Sequence, residues 1–361
     1  MSNRYIAIGF FFLVLIAPLA CKKSYQLNPQ PVPTVIPTLP APTFTSTPTS
    51  TKVAIVTTLA GQAGVTGATN ATGNAASFYD PLGVAVDSTG IIYVADAGNN
   101  LIRKISTAGV VTTLAGQAGV TGSTDSTGTS ASFSAPSGVA VDSSGFVYVA
   151  DTGNSLIRKI STAGVVTTLA GQAGVTGSTD AVGTSATFYD PCAITVDSYG
   201  NVYVADWGNS LIRKISSSGV VTTICRTTTS CAFHGPHGIM ADHSGNIYLA
   251  DSYYGYIWDN NYGYLPITPH LHFPYGIVIN SSGIFYTSDP LLNRIGSFSR
   301  SYDTAINYDS TDIAGTGSVG SADGPATSAT FNEPSGIAID TSGNIYVADR
   351  GNQCIRKIQF Q

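Results

Sequence analysis

All five histidines of this chain fall between residues 234 and 272: His234, His237, His243, His270 and His272. Imidazoles at that density can ligate a metal or carry a proton near neutral pH. The same stretch holds Tyr253, Tyr254, Tyr256, Trp258, Tyr262 and Tyr264, and Trp207 comes shortly before it. Such a group of rings either packs an irregular core or offers a stacking platform to a peptide or a sugar. His270 and His272 stand two residues apart, so on a strand they face one side, and with His237 they are the candidate ligands for zinc or calcium. The plain alternative is a polar rim whose histidines hydrogen-bond to neighbours or lie exposed. No nucleophile elbow, phosphate loop or zinc-protease helix accompanies them.

The elements that would position these residues come from a repeat. Ser106–Asp125 returns letter for letter as Ser161–Asp180, 55 residues later. In the first unit, Gly83–Asp87 alternates as a strand and Ser88-Thr-Gly90 is a turn. Further strands follow at Ile91–Ala95, Leu101–Ser106 and Val110–Leu114. Four strands joined by hairpin-length turns make one antiparallel sheet, and a repeat of this length is the signature of a propeller blade. Prolines at 81, 136, 191, 236, 274 and 334 open six units. Aspartates at 96, 151, 206, 251, 289 and 349 close their second strands. The expected fold is therefore all-β, a six-bladed propeller of four-stranded blades, at about 81–115, 136–170, 191–225, 236–268, 274–314 and 334–361 plus 53–60. The last unit ends after its third strand, while a spare strand of the VVTTLAG kind stands at Ala54–Gly61. That strand should complete the last blade and close the ring.

Most repeated polar residues read as scaffold. Asp87, Asp142, Asp197 and Asp340 each precede a tight turn whose amides an aspartate can cap. Asp96 and its equivalents, with Arg103, Arg158, Arg213 and Arg356, suggest one repeated ion pair per unit. A specific site should lie where the pattern fails, in units 4 and 5. His237 is the sharpest departure. It stands in the P-x-G slot that opens the innermost strand and should line the mouth of the channel, where other units present Leu82, Ser137, Cys192, Tyr275 and Ser335.

The motif PxGxAxDxxGxxYxADxxNxxIRKI, as in Pro334–Ile358, resembles the NHL repeat, and the resemblance covers residues 52–361. It implies a six-bladed propeller. The family includes bacterial surface and secreted proteins, protein- and RNA-binding modules, and a zinc-dependent lyase. The lyase is similar at Pro236-His237-Gly238, but it takes such histidines from three blades and this chain supplies one.

The ends and composition set the context. Residues 1–20 carry Arg4 and an apolar run that is short for a membrane span and suits a signal peptide. The run ends at Leu19-Ala20-Cys21, which resembles a lipobox with Cys21 as the lipidated residue. Residues 21–51, rich in Pro and Thr, read as an extended spacer. Glu333 is the single glutamate among 21 acidic residues, and 39 glycines favour turns over helix. A net charge of −5 with 16 basic residues argues against nucleic acid. An oxidising compartment would allow Cys225 and Cys231 to join, whereas Cys192 and Cys354 read as buried thiols.

The reading reached is an envelope protein, lipid-anchored and facing the periplasm or exterior, that binds a protein, peptide or glycan. Its site is the rim formed by Trp207, His237, Tyr253, Tyr254, His270, His272 and Tyr275. No catalytic residue and no cofactor are assigned, and the reading favours a non-enzyme. A metal-dependent lyase or hydrolase and a purely structural envelope protein are the alternatives.

Overall fold

The computed structural model describes residues 53–224, 233–242, 244–253, 255–261, 263–265, 267–268, 273–300 and 308–361. Six antiparallel sheets stand around one axis. Blade 1 is built from Pro81–Val86, Ile92–Asp96, Leu101–Ile105 and Val111–Ala115, innermost strand first. Blades 2 and 3 repeat it from Pro136–Val141 to Val166–Ala170 and from Pro191–Val196 to Val221–Ile224. Blade 4 has Pro236–Ala241, Ile247–Asp251, Tyr256–Asp259 and Gly263–Leu265. Blade 5 has Ile277–Ile279, Phe285–Asp289, Arg294–Arg300 and Tyr308–Ala314. Ile267–Thr268, expected at the end of blade 4, instead pairs in parallel with Tyr308–Asp309 and extends the sheet of blade 5. Among the described residues the only helical segments are short 3₁₀ turns.

The ring closes as the spare strand requires. Ala54–Ala60 pairs with Cys354–Phe360, beginning at Ala54 opposite Phe360, and so completes blade 6 from the other end of the chain. The two termini of the propeller thus protect each other's edges.

The second strand of each regular blade is buried along its whole length, as in Ile92–Asp96, so these sheets are apolar on both faces and the core lies in layers between neighbouring blades. The P-x-G glycine sets how closely the inner strands approach. A Cβ on Gly83 would stand 2.3 Å from the Ser137 carbonyl oxygen, and one on Gly238 would stand 2.3 Å from that of Tyr275. A cavity of about 320 Å³ runs along the axis. It is lined by the middle and far ends of the inner strands, from Val84–Val86 round to Ile337–Ile339.

The long Gly- and Thr-rich connections also have work in the fold. Residues 61–79 leave blade 6 and run beside the outer strand of blade 1, where Val111 donates to the Ala71 carbonyl and Gly73 to that of Gly109. The connection covers an edge that would otherwise be open.

Candidate functional site

The repeated charged residues resolve into scaffold. Asp87 accepts the Thr89 and Ile91 amides and the Tyr93 hydroxyl. Asp142, Asp197 and Asp340 do the same in their blades. Partial burial pushes the carboxyls of Asp87, Asp197 and Asp340 up, yet their hydrogen bonds prevail and hold them below the usual carboxylate value. Beside Asp87, burial and the carboxylate push the Tyr93 phenol up to about 12.

Asp96 and Arg103, both fully buried, pair at 2.8 Å. The same carboxylate accepts Asn99 and the Tyr79 amide. Arg103 reaches on to the Ser77 and Thr69 carbonyls and to Asn70, and its guanidinium lies over the Phe78 ring. Blades 2, 3 and 6 repeat the pair through Arg158, Arg213 and Arg356. Burial pushes the Asp96 and Asp151 carboxyls up to about 6 in spite of their arginines. Such a pair fixes the position of the connection more than it adds stability.

The P-x-G slots stitch blade to blade. Ser137 of blade 2 donates to the Cys192 carbonyl of blade 3 at 2.8 Å. Cys192 donates to the Pro236 carbonyl of blade 4 at 3.1 Å, and Ser335 of blade 6 to the Leu82 carbonyl of blade 1 at 3.0 Å. Cys192 and Cys354 are both buried.

His237 departs from this pattern in chemistry and surroundings. It is only 4% exposed and does not line the axial cavity, which begins deeper in the inner strands. The channel-mouth placement expected from its slot is thus not what the fold gives, because rings from both neighbouring blades close over it. Trp207 of blade 3 stands 5.9 Å from its ring, Phe273 5.7 Å, and Tyr275 of blade 5 4.8 Å. Nδ1 lies 3.1 Å from the Gly235 carbonyl oxygen and within hydrogen-bond reach of the Ser252 hydroxyl. A carbonyl only accepts, so that bond places the proton on Nδ1. Burial lowers the pKa of His237 to about 4, with the Gly235 bond opposing, and the imidazole is neutral at physiological pH.

Around this buried centre the rim is half open. Trp207, Tyr253 and Tyr275 are each partly exposed, and the exposed His234 stacks on Tyr253 with ring centres 5.5 Å apart. The fold therefore brings Trp207, His237 and Tyr275 together, with Tyr253 on the same blade as His237. Tyr254, His270, His272, Cys21, Cys225 and Cys231 lie outside the described residues. Two members of the cluster were not singled out by sequence reasoning. Phe273 occupies the position before the blade-opening proline, where other blades carry Asp80, Ala135, Asp190, Gly235 and Glu333. Ser252 occupies the place of Ala97, Thr152 and Arg350.

Among the described residues no three of His, Cys, Asp and Glu converge as metal ligands. Among the described residues His237 offers a single imidazole wedged among rings, one donor where a zinc or calcium site needs several.

Fold and motif together define an NHL-repeat β-propeller. The NHL repeat model matches residues 78–105, 133–160 and 331–358, so the chain carries NHL repeats in three of its blades. A curated relative, the chloroplastic protein Suppressor of Quenching 1 of Arabidopsis thaliana, is 31% identical over 90 residues, 25% of this chain and 8% of that protein. Two solved structures from Bacteroides thetaiotaomicron are similar in fold. One is a protein of unknown function (TM-score 0.66, 18% identity, 86% of this chain and 76% of that one). The other is an auxiliary nutrient binding protein (0.63, 15%, 86% and 77%). Virginiamycin B lyase from Staphylococcus aureus is similar at TM-score 0.52 and 16% identity, over 78% of this chain and 95% of the lyase. At these identities the likeness to the three structures concerns the fold alone.

Proposed function

We propose that this propeller is a binding module, lipid-anchored through Cys21 and facing the periplasm or the exterior, whose ligand is a protein, peptide or glycan. The ligand meets the rim of blades 3 to 5 at Trp207, Tyr253 and Tyr275, with Tyr254, His270 and His272 completing that rim. In this reading His237 organises the platform from beneath and does not touch the ligand. The observation that carries the proposal is the ring cluster of Trp207, Phe273 and Tyr275 around His237. His237 and Tyr275 stand at the slot where blades 1, 2 and 6 carry Leu82, Ser137 and Ser335, and Trp207 where they carry Ala97, Thr152 and Arg350. The cluster keeps partly exposed faces that a rigid stacking surface needs. The nutrient-binding propeller of Bacteroides thetaiotaomicron is in keeping with a binding role for such a fold. The metal-dependent alternative asks His237 to be a ligand, and its buried, ring-packed position speaks against that.

The test is capture of envelope peptides and glycans by the intact chain and by two variants. Tyr253→Ala should lose the captured ligand with the melting temperature nearly unchanged, whereas His237→Gln should retain it. Equal capture by the wild type and Tyr253→Ala would remove the proposal.

A further inference from the structure

Blades 1 and 3 open with the same four residues, Phe78-Tyr79-Asp80-Pro81 and Phe188-Tyr189-Asp190-Pro191. The local structure is the same in both. The Tyr79 amide donates to Asp96 and the Tyr189 amide to Asp206. Gly98 and Gly208 pack on the two tyrosine rings alike, and Asp80 and Asp190 hold φ near 55° and 48°. Two carboxylates thus stand in equivalent places on the face where the connections enter the inner strands.

Their partners differ. Asp80 accepts Nε of Arg350 from the preceding blade at 2.5 Å. In the blade preceding Asp190, the residue at the place of Arg350 is Thr152. Its hydroxyl lies 2.7 Å from the Pro191 carbonyl and 2.5 Å from the Ser137 hydroxyl. Asp190 has neither an ion pair nor a side-chain hydrogen bond among the described residues, although it is half-buried, and that burial pushes its carboxyl up. A carboxylate taken partly out of water without a partner is stabilised by any cation that reaches it.

We infer that Asp190 is a docking carboxylate for a guanidinium brought from outside, the arginine side chain of a peptide, which takes on blade 3 the place that Arg350 takes on blade 1. Tyr189, 43% exposed, adjoins the carboxylate in sequence. Pro191 pairs with Asp206, so the backbone of Trp207 passes beside Asp190 while its ring leans toward His237 of blade 4. A planar guanidinium can pair with the carboxylate and lie on the Tyr189 ring, which an ammonium does less well. The net charge of −5 draws a cationic peptide toward the protein. The inference rests on the reading of the blade 3 to 5 rim as the binding face, and it names the ligand chemistry at one end of that rim.

The experiment is a binding titration of the intact chain with the peptide acetyl-Gly-Arg-Gly-amide, and with its citrulline counterpart as the neutral isostere. Asp190 resonances and tryptophan fluorescence serve as readouts. The arginine peptide should bind more tightly than the citrulline peptide, and Asp190→Asn should weaken it at least about fivefold. Thr152→Arg should supply the guanidinium within the chain, abolishing peptide binding while leaving the melting temperature equal or raised. Equal binding of the two peptides, or arginine binding unchanged in Asp190→Asn, would overturn the inference. The broader reading is scored separately. Envelope ligand retained by Asp190→Asn but lost in Trp207→Ala would remove the guanidinium site and leave the binding rim, and ligand retained by both would remove both.

Discussion

Blades 2 and 5 fold to the same antiparallel sheet but secure the connection that enters them by different means. In blade 2, Arg158 is fully buried, bonds Asp151 at 2.8 Å and Asp125 at 2.7 Å, and lies over Phe133. In blade 5 the position facing Thr287 in the third strand is Gly296. What remains is a cavity of about 30 Å³ between Asp289 and Asp312, with the Thr287 hydroxyl buried and unpaired among the described residues. Blade 4 is a third solution. Trp258 stands where the arginine would be and packs edge-on against Phe233. The difference follows chain length. The arginine is held by carbonyls and a carboxylate from a connection of some 20 residues, and the repeat shortens from 55 residues to 45 and 38 at blades 4 and 5. Without the connection a buried guanidinium would have too few acceptors, and arginine is absent from that position. Blades 1, 2, 3 and 6 are held to one pattern by this network. Blades 4 and 5 are released from it, and the aromatic rim lies there with Trp207 of blade 3 at its edge.

The largest effect should come from breaking the network in a regular blade. Arg158→Ala leaves the Asp151 carboxylate buried with its main partner gone, and unfolding in denaturant should show a loss of about 3–5 kcal/mol. A loss under 1 kcal/mol would mean that the pair is not what positions the connection.

Next in size is the pH response of the irregular blades. The folded His237 has a pKa near 4, below its ordinary value of 6.5, so the unfolded chain takes up the proton first. Its contribution is complete above pH 6.5 and is lost as pH falls toward 4, by roughly 3 kcal/mol at full protonation of the unfolded form. His237→Gln should flatten stability between pH 6.5 and 4 relative to the wild type. The Asp96 and Asp151 carboxyls, raised to about 6, titrate in the same window but are common to both chains and cancel in the difference. Parallel pH profiles would show that His237 is not held neutral by its surroundings.

The smallest effect should be at the ion pair of blade 5. Arg294 and Asp312 form a pair open to solvent, and Arg294→Ala should cost less than about 1 kcal/mol. A loss as large as that of Arg158→Ala would erase the distinction between the two kinds of blade.

How much of this could be read from the sequence depends on the range of each interaction. The blade count, the strand borrowed from Ala54–Ala60 and the Asp96–Arg103 pairing were legible, because each repeats at a fixed spacing and one reading must serve several copies. The site was legible only as a region. Trp207, His237 and Tyr275 stand out against the repeat, but their convergence depends on side chains leaning across blade boundaries. The sequence gives no period for that. Phe273 brings no titratable or polar group, and the signal that could have found it is the contrast with Asp80, Ala135, Asp190 and Glu333 in the same place. The burial of His237 was missed for the same reason, since the rings that cover it come from two other blades.

The central claim is that ligand binding belongs to the rim where the repeat breaks and not to the symmetric blades. A photo-crosslinking side chain placed at Tyr253, and in a second chain at Tyr79 of blade 1, tests it most directly in intact cells. The account predicts a discrete crosslinked partner from position 253 that is absent from position 79. The same partner at equal yield from both positions, or from position 79 alone, would contradict it.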